Sequence, residues 1–275
     1  MPEDNRPSYT PTLSDAERAA FRDKGWVVPD YRLPAEVLND MRCAYDKLLV
    51  DNAHLESDIM LGPHQINGGS QGVVGSEKWL EYATHPALMD IAAQLIGDDI
   101  ILWGTTIFGK PANSGKETPW HQDGEYYPIR PLEVLTIWIP LDDVTPDNGP
   151  MRFIPGSHKN RTLYSHNWIE GDDLTINLAC DPEHFDESTA EDLILEAGQA
   201  SFHDVYMIHG SRANRTDRRR AAFIVRLMPA TSYYDHALGA EIGKQHPAQG
   251  YGVRPLYLVR GADRHGGNNF DIGHD

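Results

Sequence analysis

The chain has 275 residues, of which 41 are acidic and 24 basic, so its formal net charge is −17 and its pI about 5.1. Such a surface repels nucleic acid and anionic membranes, which argues against both as partners. The hydrophobic share of 40% is sufficient for a core, and no apolar run is long enough to cross a bilayer.

The two cysteines, Cys43 and Cys180, lie far apart and form no CxxC motif, which argues against a zinc ribbon or a disulfide scaffold. Any metal must therefore be held by histidine and carboxylate ligands. The segment MPEDNRPSYTPTLSDAE contains no basic stretch followed by an apolar one, so we expect a cytoplasmic protein. We expect one domain over residues 1–275, and homo-oligomer formation is left open.

The first third of the chain has the features of a helical region. Residues 1–12 are rich in proline and polar side chains and are expected to form a flexible arm. Residues 13–99 are predicted to be mainly helical. Ser14 with Glu17 three positions later matches a capping box, and the helix that follows is predicted to end at Gly25. Apolar residues recur at a helical period in two further segments, residues 34–52 and 87–99.

Between these helices, residues 58–77 carry five glycines and one proline without a regular period. Long irregular loops inside compact domains are often functional, so we expect this segment to act as a lid over a site. Its residues Met60, His64 and Asn67 are therefore candidates for contact with a substrate.

From residue 100 onward, short β-like runs alternate with turns, from IILWGTTIFGK to RRAAFIVRLMP. A helical first part followed by many strands predicts a mainly β fold with flanking α-helices, built as an antiparallel sandwich or barrel. We place this β core at residues 100–229 and expect residues 230–275 to form a mostly irregular C-terminal segment.

His121 and Asp123 lie two positions apart in the segment WHQDGEYY. Alternate side chains of a strand point to the same face, so these two can direct an imidazole and a carboxylate at one point. His209, just before a predicted tight turn, offers a third ligand, and His203 is its rival. Two histidines and one carboxylate form the facial triad of non-heme Fe(II) oxygenases, although zinc can use the same ligands.

Arg220 opens the predicted strand RAAFIVRLMP, eleven residues after His209. An oxygenase that uses a 2-oxo acid must hold the far carboxylate of that acid, and a buried guanidinium does so through two hydrogen bonds. Strand parity puts Ile224 and Arg226 on the same face as Arg220. We therefore expect Arg226 to point toward the same cavity.

These residues, with the intervening segment TIWIPLDDVTPDNGPMRFIPGSHK, resemble the phytanoyl-CoA dioxygenase family of Fe(II)/2-oxoglutarate-dependent oxygenases. The resemblance runs in order from about residue 13 to residue 229. It implies a double-stranded β-helix, or cupin-like jelly roll, with Fe(II) as the metal and 2-oxoglutarate and O₂ as co-substrates. It favours His209 over His203, because His203 lacks the Gly-Ser and the arginine that follow the family's distal ligand.

The resemblance also implies roles for single residues. The implied iron ligands, which are also the catalytic residues, are His121, Asp123 and His209. Arg220 is implied to pair with the distal carboxylate of 2-oxoglutarate. Further contacts to 2-oxoglutarate are expected from Ser211, Trp138 and Ser157, although Trp138 fits equally well as a core aromatic and Ser157 as a turn residue.

The chain departs from the pattern of the family at one position and keeps it at another. Some relatives contact 2-oxoglutarate through an asparagine in the strand before the first histidine ligand, and Phe108 stands there in this sequence. Halogenating members have a small residue in place of the carboxylate ligand. Because Asp123 is present, the sequence predicts oxygenation.

The residues predicted to contact the substrate are Met60, His64, Asn67, Lys110, Glu125, Tyr126, Tyr127 and Arg226. Their rings and carboxylate are suited to a cationic group, and their basic and amide groups to an anion. We expect hydroxylation of an aliphatic C–H bond in a small polar metabolite, with release of succinate and CO₂. Within the resembled family, hydroxylation of an aminoalkylphosphonate or its quaternary-ammonium analogue next to phosphorus fits best.

Other activities stay open from the sequence. Within the resembled family these are hydroxylation of ectoine or amino acids and the tailoring of natural products. Outside it, the same fold and ligands serve a non-oxidative cupin-like metal enzyme or a binding protein. Consumption of 2-oxoglutarate coupled to succinate release separates the oxygenases from the last two classes.

Overall fold

The computed structural model describes residues 11–55, 58–66 and 71–274, so most of the predicted flexible arm lies outside the described residues. The α-helices of the described part are Asp15–Lys24 (α1), Ala35–Asp51 (α2), Lys78–Ala83 (α3), Pro86–Ile96 (α4) and His236–Gly243 (α5). None of these helices is long and apolar enough to span a membrane.

The strands are short, apart from two of ten and eleven residues. In chain order they are Trp26–Val27 (β1), Ile59–Leu61 (β2), Ile100–Lys110 (β3), Thr118–His121 (β4), Ile129–Arg130 (β5), Leu135–Pro140 (β6), Met151–Phe153 (β7), His166–Trp168 (β8), Leu178–Cys180 (β9), Glu191–Leu193 (β10), Ser201–Asp204 (β11), His209–Ser211 (β12), Arg220–Pro229 (β13), Tyr233–Tyr234 (β14) and Tyr257–Arg260 (β15).

Two antiparallel sheets form the body of the fold. The larger has the order β1-β11-β6-β13-β3-β15, with β2 also paired to β3, and the smaller has the order β10-β7-β12-β4. Side chains from both sheets line one cavity, so the sheets face each other around it. This arrangement is a jelly roll, and it confirms the predicted mainly β fold with flanking helices.

The first helix forms where its sequence signals predict it. The Ser14 hydroxyl accepts a hydrogen bond from the Glu17 amide, and the Glu17 carboxylate accepts one from the Ser14 amide at 2.7 Å. These reciprocal bonds satisfy two N–H groups that an α-helix leaves without partners in its first turn. At the other end Gly25 takes φ +97°, a left-handed conformation that glycine adopts without steric cost.

The helices cover the outer face of the larger sheet. Met41 of α2 and Leu88 of α4 are fully buried in one cluster with Ile137 of β6 and Phe223 of β13. The next residue along β13, Ile224, points the opposite way into a cluster between the two sheets. This alternation directs every second side chain of the sheet at the cavity.

Two segments contain more regular structure than the sequence predicts. The predicted lid, residues 58–77, begins with β2, which pairs with β3 through the register Ile59 opposite Phe108. The C-terminal segment contains α5 and also β15, which pairs with the same edge of β3 as β2 does, but at the other end of that strand. A strand of three or four residues is too short to show a period, so these strands depend on the edge of β3 that β13 leaves open.

Candidate active site

A cavity of about 320 Å³ lies between the two sheets. One wall comes from the inner faces of β3, β6, β11 and β13, and the facing wall comes from β4 and β12. The C-terminal segment closes one end with His246, Gln249, Tyr251 and Arg254, and the β8–β9 hairpin contributes Trp168.

The predicted metal ligands come together on the smaller sheet. His121 ends β4 and His209 begins β12, and the two residues are direct partners in the antiparallel register, with ring centroids 4.2 Å apart. Oδ1 of Asp123 lies 3.7 Å from Nε2 of His121. One ligand atom from each of the three residues lies within 4.8 Å of the other two.

Asp123 reaches this cluster by a route that the sequence does not predict. The strand ends at His121, and Asp123 is the first residue of a 3₁₀ turn, Asp123–Tyr126. The expectation that His121 and Asp123 share one face of a continuous strand is therefore wrong. Between them Gln122 is buried, and its amide donates to the carbonyls of Thr162 and Tyr206 at 2.9 and 2.8 Å. These bonds hold the backbone where it leaves the strand.

The hydrogen bonds of the two histidines leave the correct nitrogen atoms for a metal. Nδ1 of His121 lies 2.8 Å from the carbonyl oxygen of Pro119, and Nδ1 of His209 lies 3.1 Å from that of Met207. A carbonyl can only accept, so each Nδ1 carries the hydrogen and each Nε2 presents a lone pair. Such backbone partners are the usual outer support of metal-bound imidazoles.

The charge states also fit a divalent metal. Burial, together with the charge of His121, lowers the pKa of His209 to about 4, so its imidazole is neutral near pH 7. Burial works to raise the pKa of Asp123, but the neighbouring His121 side chain and the charge of Arg226 hold it well below its ordinary range. Two histidine nitrogens and one carboxylate are the donor set of a facial Fe(II) triad.

His203, the rival distal ligand, lies outside this cluster. Its ring centroid is 5.3 Å from that of His209, and it is not part of the metal-binding group found among the described residues. His203 does line the cavity, and both of its ring nitrogens lack a hydrogen-bond partner in the described part of the chain.

Arg220 marks one end of the cavity. It is 2% exposed, its Nη2 donates to the Gly149 carbonyl at 2.5 Å, and its Nε has no acceptor among the residues that the structure describes. Leaving a buried guanidinium partly unpaired is costly, so the arrangement fits an anionic ligand. The Arg220 Cζ lies 5.5 Å from the ring centre of Trp138, and Ser211 lines the same cavity. The distal carboxylate of 2-oxoglutarate fits this end.

Ser157, predicted to contact 2-oxoglutarate, does not line the cavity. Its hydroxyl accepts a hydrogen bond from the Ile208 amide at 2.9 Å and lies 3.7 Å from the sulfur of Met207. The prediction is corrected: Ser157 supports the backbone immediately before His209. The turn that contains Ser157 folds back onto this segment, which sequence spacing does not record.

Three of the predicted substrate residues line the cavity: Tyr126, Tyr127 and Arg226. Arg226 donates from Nε to the Tyr127 hydroxyl and from Nη1 to Thr106 Oγ1, each at 2.7 Å. Its Nε is also 4.0 Å from Oδ2 of Asp123. Arg226 therefore places a positive charge beside the metal-ligand carboxylate.

Two residues of the predicted lid, Met60 and His64, lie outside the cavity lining. Met60 is in the core beneath the helices, whereas its neighbours Ile59 and Leu61 line the cavity, because alternate residues of β2 face opposite ways. His64 is buried and its Nδ1 lies 2.7 Å from Thr105 Oγ1. Both assignments to the substrate are corrected.

Two further substrate assignments are also corrected, and a third is outside the described residues. Lys110 is buried, and its Nζ donates to the Lys116 carbonyl instead of lining the cavity. Burial and the charge of Arg220 lower the pKa of Lys110 to about 6. Glu125 is exposed on the 3₁₀ turn, 3.8 Å from His166. Asn67 lies outside the described residues.

The residues that sequence reasoning missed are mainly aromatic or come from the C-terminal segment. They include Trp103 of β3, Trp168, Tyr251 and Arg254. The alternation of β3 does not identify Trp103, because the strand changes parity between Trp103 and Thr106 beside a register shift. The C-terminal residues carried no such signal either.

The sequence profile of the phytanoyl-CoA dioxygenase (PhyH) family matches residues 21–222, which contain the His-Asp-His cluster and Arg220. The chain belongs to this family. A probable phytanoyl-CoA dioxygenase of Caenorhabditis elegans is 26% identical over 230 residues, which cover 76% of this chain and 73% of the relative.

Two other proteins extend the comparison. A probable alpha-ketoglutarate-dependent hypophosphite dioxygenase of Stutzerimonas stutzeri is 31% identical over 165 residues, or 59% of this chain and 54% of that protein. The chain thus spans about half the length of this relative. The solved structure of the non-heme monooxygenase ThoJ superimposes with a TM-score of 0.67 at 26% identity, covering 89% of this chain and 84% of that one.

PhyH membership places the chain among the Fe(II)/2-oxoglutarate-dependent oxygenases. It confirms the predicted enzyme class, the predicted iron and 2-oxoglutarate, and the predicted jelly-roll core. Relatives of this kind act on small molecules, as their names state. The substrate of this chain is a separate question.

Proposed function

We propose that this chain hydroxylates an aliphatic C–H bond of a small polar metabolite and converts 2-oxoglutarate and O₂ to succinate and CO₂. The observation that carries the proposal is the pairing of the His-Asp-His cluster with two guanidinium groups on one cavity wall. Arg220 and Arg226 lie on the same face of β13, and six residues of strand separate them by about 20 Å. The cavity therefore has two cationic ends for two different ligands.

Each group has a distinct task in this proposal. His121, Asp123 and His209 hold the iron, which supplies the activation of O₂ and the oxidation of the C–H bond. Arg220 binds the distal carboxylate of 2-oxoglutarate, with Trp138 and Ser211 beside it. The protein contributes the relative orientation of the two reactants and a site from which bulk water is excluded.

The size and lining of the cavity support a small, polar substrate. About 320 Å³ must accommodate 2-oxoglutarate together with the substrate. A long acyl-CoA also requires basic groups for its nucleotide, but two of the arginines near Arg220 already have acidic partners. Arg215 pairs with Asp173 and Arg219 pairs with Asp46.

Within this class we propose an aminoalkylphosphonate, hydroxylated at the carbon next to phosphorus. Arg226 supplies positive charge on the substrate side, and the rings of Tyr126 and Tyr127 are suited to an ammonium group. The similarity to a relative named for hypophosphite, another phosphorus oxyanion, supports this choice. Because Glu125 is exposed outside the cavity, a cationic group would rest on the aromatic rings alone.

The test is to follow succinate while the Fe(II) enzyme is incubated with 2-oxoglutarate, O₂ and a panel of aminophosphonates, betaines and amino acids. We expect one class to raise succinate release and to yield a hydroxylated product in equal amount. Asp123→Ala should abolish this turnover, and the exposed Asp271→Ala serves as the control. A wild-type enzyme that consumes no 2-oxoglutarate with any compound would leave the non-oxidative enzyme or the binding protein. Turnover by Asp123→Ala would contradict the ligand assignment.

A further inference from the structure

The C-terminal segment brings a second buried arginine to the substrate side of the cavity. Arg254 follows α5, lines the cavity and is 6% exposed. The match to the PhyH profile ends at residue 222, so Arg254 lies outside the part of the chain that the family shares.

The guanidinium of Arg254 is incompletely paired. It donates to the Gln249 carbonyl, lies beside the Tyr234 hydroxyl, and lies over the ring of Tyr251 at 5.7 Å. Its Nε has no acceptor in the described part of the chain. All of its partners are neutral, and a buried guanidinium without a countercharge is strongly destabilising.

Other arginines of the same segment do have countercharges. Arg260 pairs with Asp90 at 2.6 Å, and Arg264 pairs with Asp99 at 3.3 Å. Both are more exposed than Arg254, so they need an acidic partner less. The contrast indicates that the countercharge of Arg254 comes from a ligand.

A second unused donor lines the same cavity as Arg254. Trp103 on the inner face of β3 lines the cavity and is 2% exposed, and its indole N–H has no acceptor among the residues described by the structure. The ring of Trp103 is 6.0 Å from that of Tyr234, whose hydroxyl contacts Arg254. Tyr234 is thus a neighbour of both Arg254 and Trp103, each of which has a buried N–H donor without an acceptor in the described part of the chain.

We propose that Arg254 and Trp103 form a subsite for an oxyanion of the substrate, either a carboxylate or a phosphonate. Arg254 contributes charge and Nε–H, and Trp103 contributes its indole N–H. This inference rests on the proposed function, because it assigns part of the same cavity. Arg226, whose Nε and Nη1 are already bonded, adds charge from the side of Asp123.

The test is calorimetric titration under argon of the full-length enzyme loaded with Mn(II) and 2-oxoglutarate. The probes are β-alanine, 2-aminoethylphosphonate and ethanolamine, which share an ethylamine skeleton and differ in carrying a carboxylate, a phosphonate or a neutral hydroxyl. We expect at least one of the two anions to bind at least about tenfold more tightly than ethanolamine, and the preferred anion identifies the headgroup.

Substitutions then assign the binding to the subsite. Arg254→Gln should weaken binding of the preferred anion by about tenfold to a hundredfold, and Arg254→Lys should recover part of this loss. Trp103→Phe keeps an aromatic ring and removes only the N–H donor, so it tests the subsite even if Arg254→Gln fails to fold. Trp103→Phe should weaken binding of the preferred anion by about threefold to tenfold. The matched control is Arg264→Gln, an exposed arginine of the same segment.

The outcomes separate this inference from the proposed function. Equal affinity for all three probes, or unchanged anion binding in both Arg254→Gln and Trp103→Phe, overturns the subsite. A wild-type enzyme that binds 2-oxoglutarate but none of the probes overturns the subsite alone. Failure of the Mn(II)-loaded enzyme to bind 2-oxoglutarate contradicts the proposed function itself.

Discussion

Replacement of Arg220 by glutamine tests the 2-oxoglutarate end of the cavity. Burial lowers the pKa of Arg220 to about 10, so the guanidinium still carries its charge at pH 7.5. Glutamine keeps a polar side chain of similar reach but removes the charge and the paired N–H geometry. A hydrogen bond to a charged group contributes about 1.5–3 kcal/mol, so we expect the dissociation constant of 2-oxoglutarate to rise by about 10- to 150-fold.

The assay is an anaerobic titration of the Fe(II) enzyme with 2-oxoglutarate, followed by the weak visible absorption that appears when the keto acid chelates iron. Arg219→Gln is the matched control, because Arg219 is the adjacent residue and pairs with Asp46 and Asp142 at 2.6 and 3.3 Å. We expect the control to change the dissociation constant by less than about twofold, since exposed ion pairs contribute little. An equal effect of Arg219→Gln and Arg220→Gln would refute the assignment of the carboxylate to Arg220.

Three further predictions concern residues around the site. Burial, with the charges of Arg254 and His274, lowers the pKa of His64 to about 3. Below about pH 6.5, His64 is therefore protonated in the unfolded chain but stays neutral in the folded chain. Stability should therefore fall from pH 7 to pH 5 by about 2 kcal/mol more in the wild type than in His64→Gln, as measured by urea unfolding. Ser157→Ala removes the acceptor of the Ile208 amide and should weaken Mn(II) binding about tenfold, with little change in 2-oxoglutarate affinity at saturating metal. Met60→Ala should cost about 2–5 kcal/mol of stability by the same unfolding assay. Ile59→Ala should instead act mainly on the KM of the substrate, and the opposite result would reverse the assigned faces of β2.

The helices could be predicted because their signals are local. The reciprocal bonds of Ser14 and Glu17 and the left-handed Gly25 involve residues within one or two turns of each other. The short strands could not be predicted in the same way. β13 pairs along one edge of β3, and the other edge is left for β2 at one end and β15 at the other. A segment of three residues is too short to show the alternation of apolar and polar residues that predicts a strand, so its pairing with a distant segment cannot be read from its own sequence.

The candidate site was predictable where a side chain acts from a strand that its own pattern reveals. Arg220, Ile224 and Arg226 all line the cavity, as the alternation of β13 requires. The prediction of substrate contact was wrong where a long side chain forms its hydrogen bond outside the cavity. Lys110 is the partner of Arg220 in the strand register. Its Nζ nevertheless donates a hydrogen bond to the Lys116 carbonyl and does not line the cavity.

The sequence by itself determined the reaction class, because the metal ligands and the arginine for the 2-oxo acid are recognisable residue types at characteristic spacings. His121, Asp123, His209 and Arg220 could be named without coordinates. The tertiary structure decided which side chains face the substrate. Arg254 and Trp103 line the same cavity only after the C-terminal segment folds over it. The physical reason is that their unpaired donors are costly only once buried, and burial is a property of the folded chain.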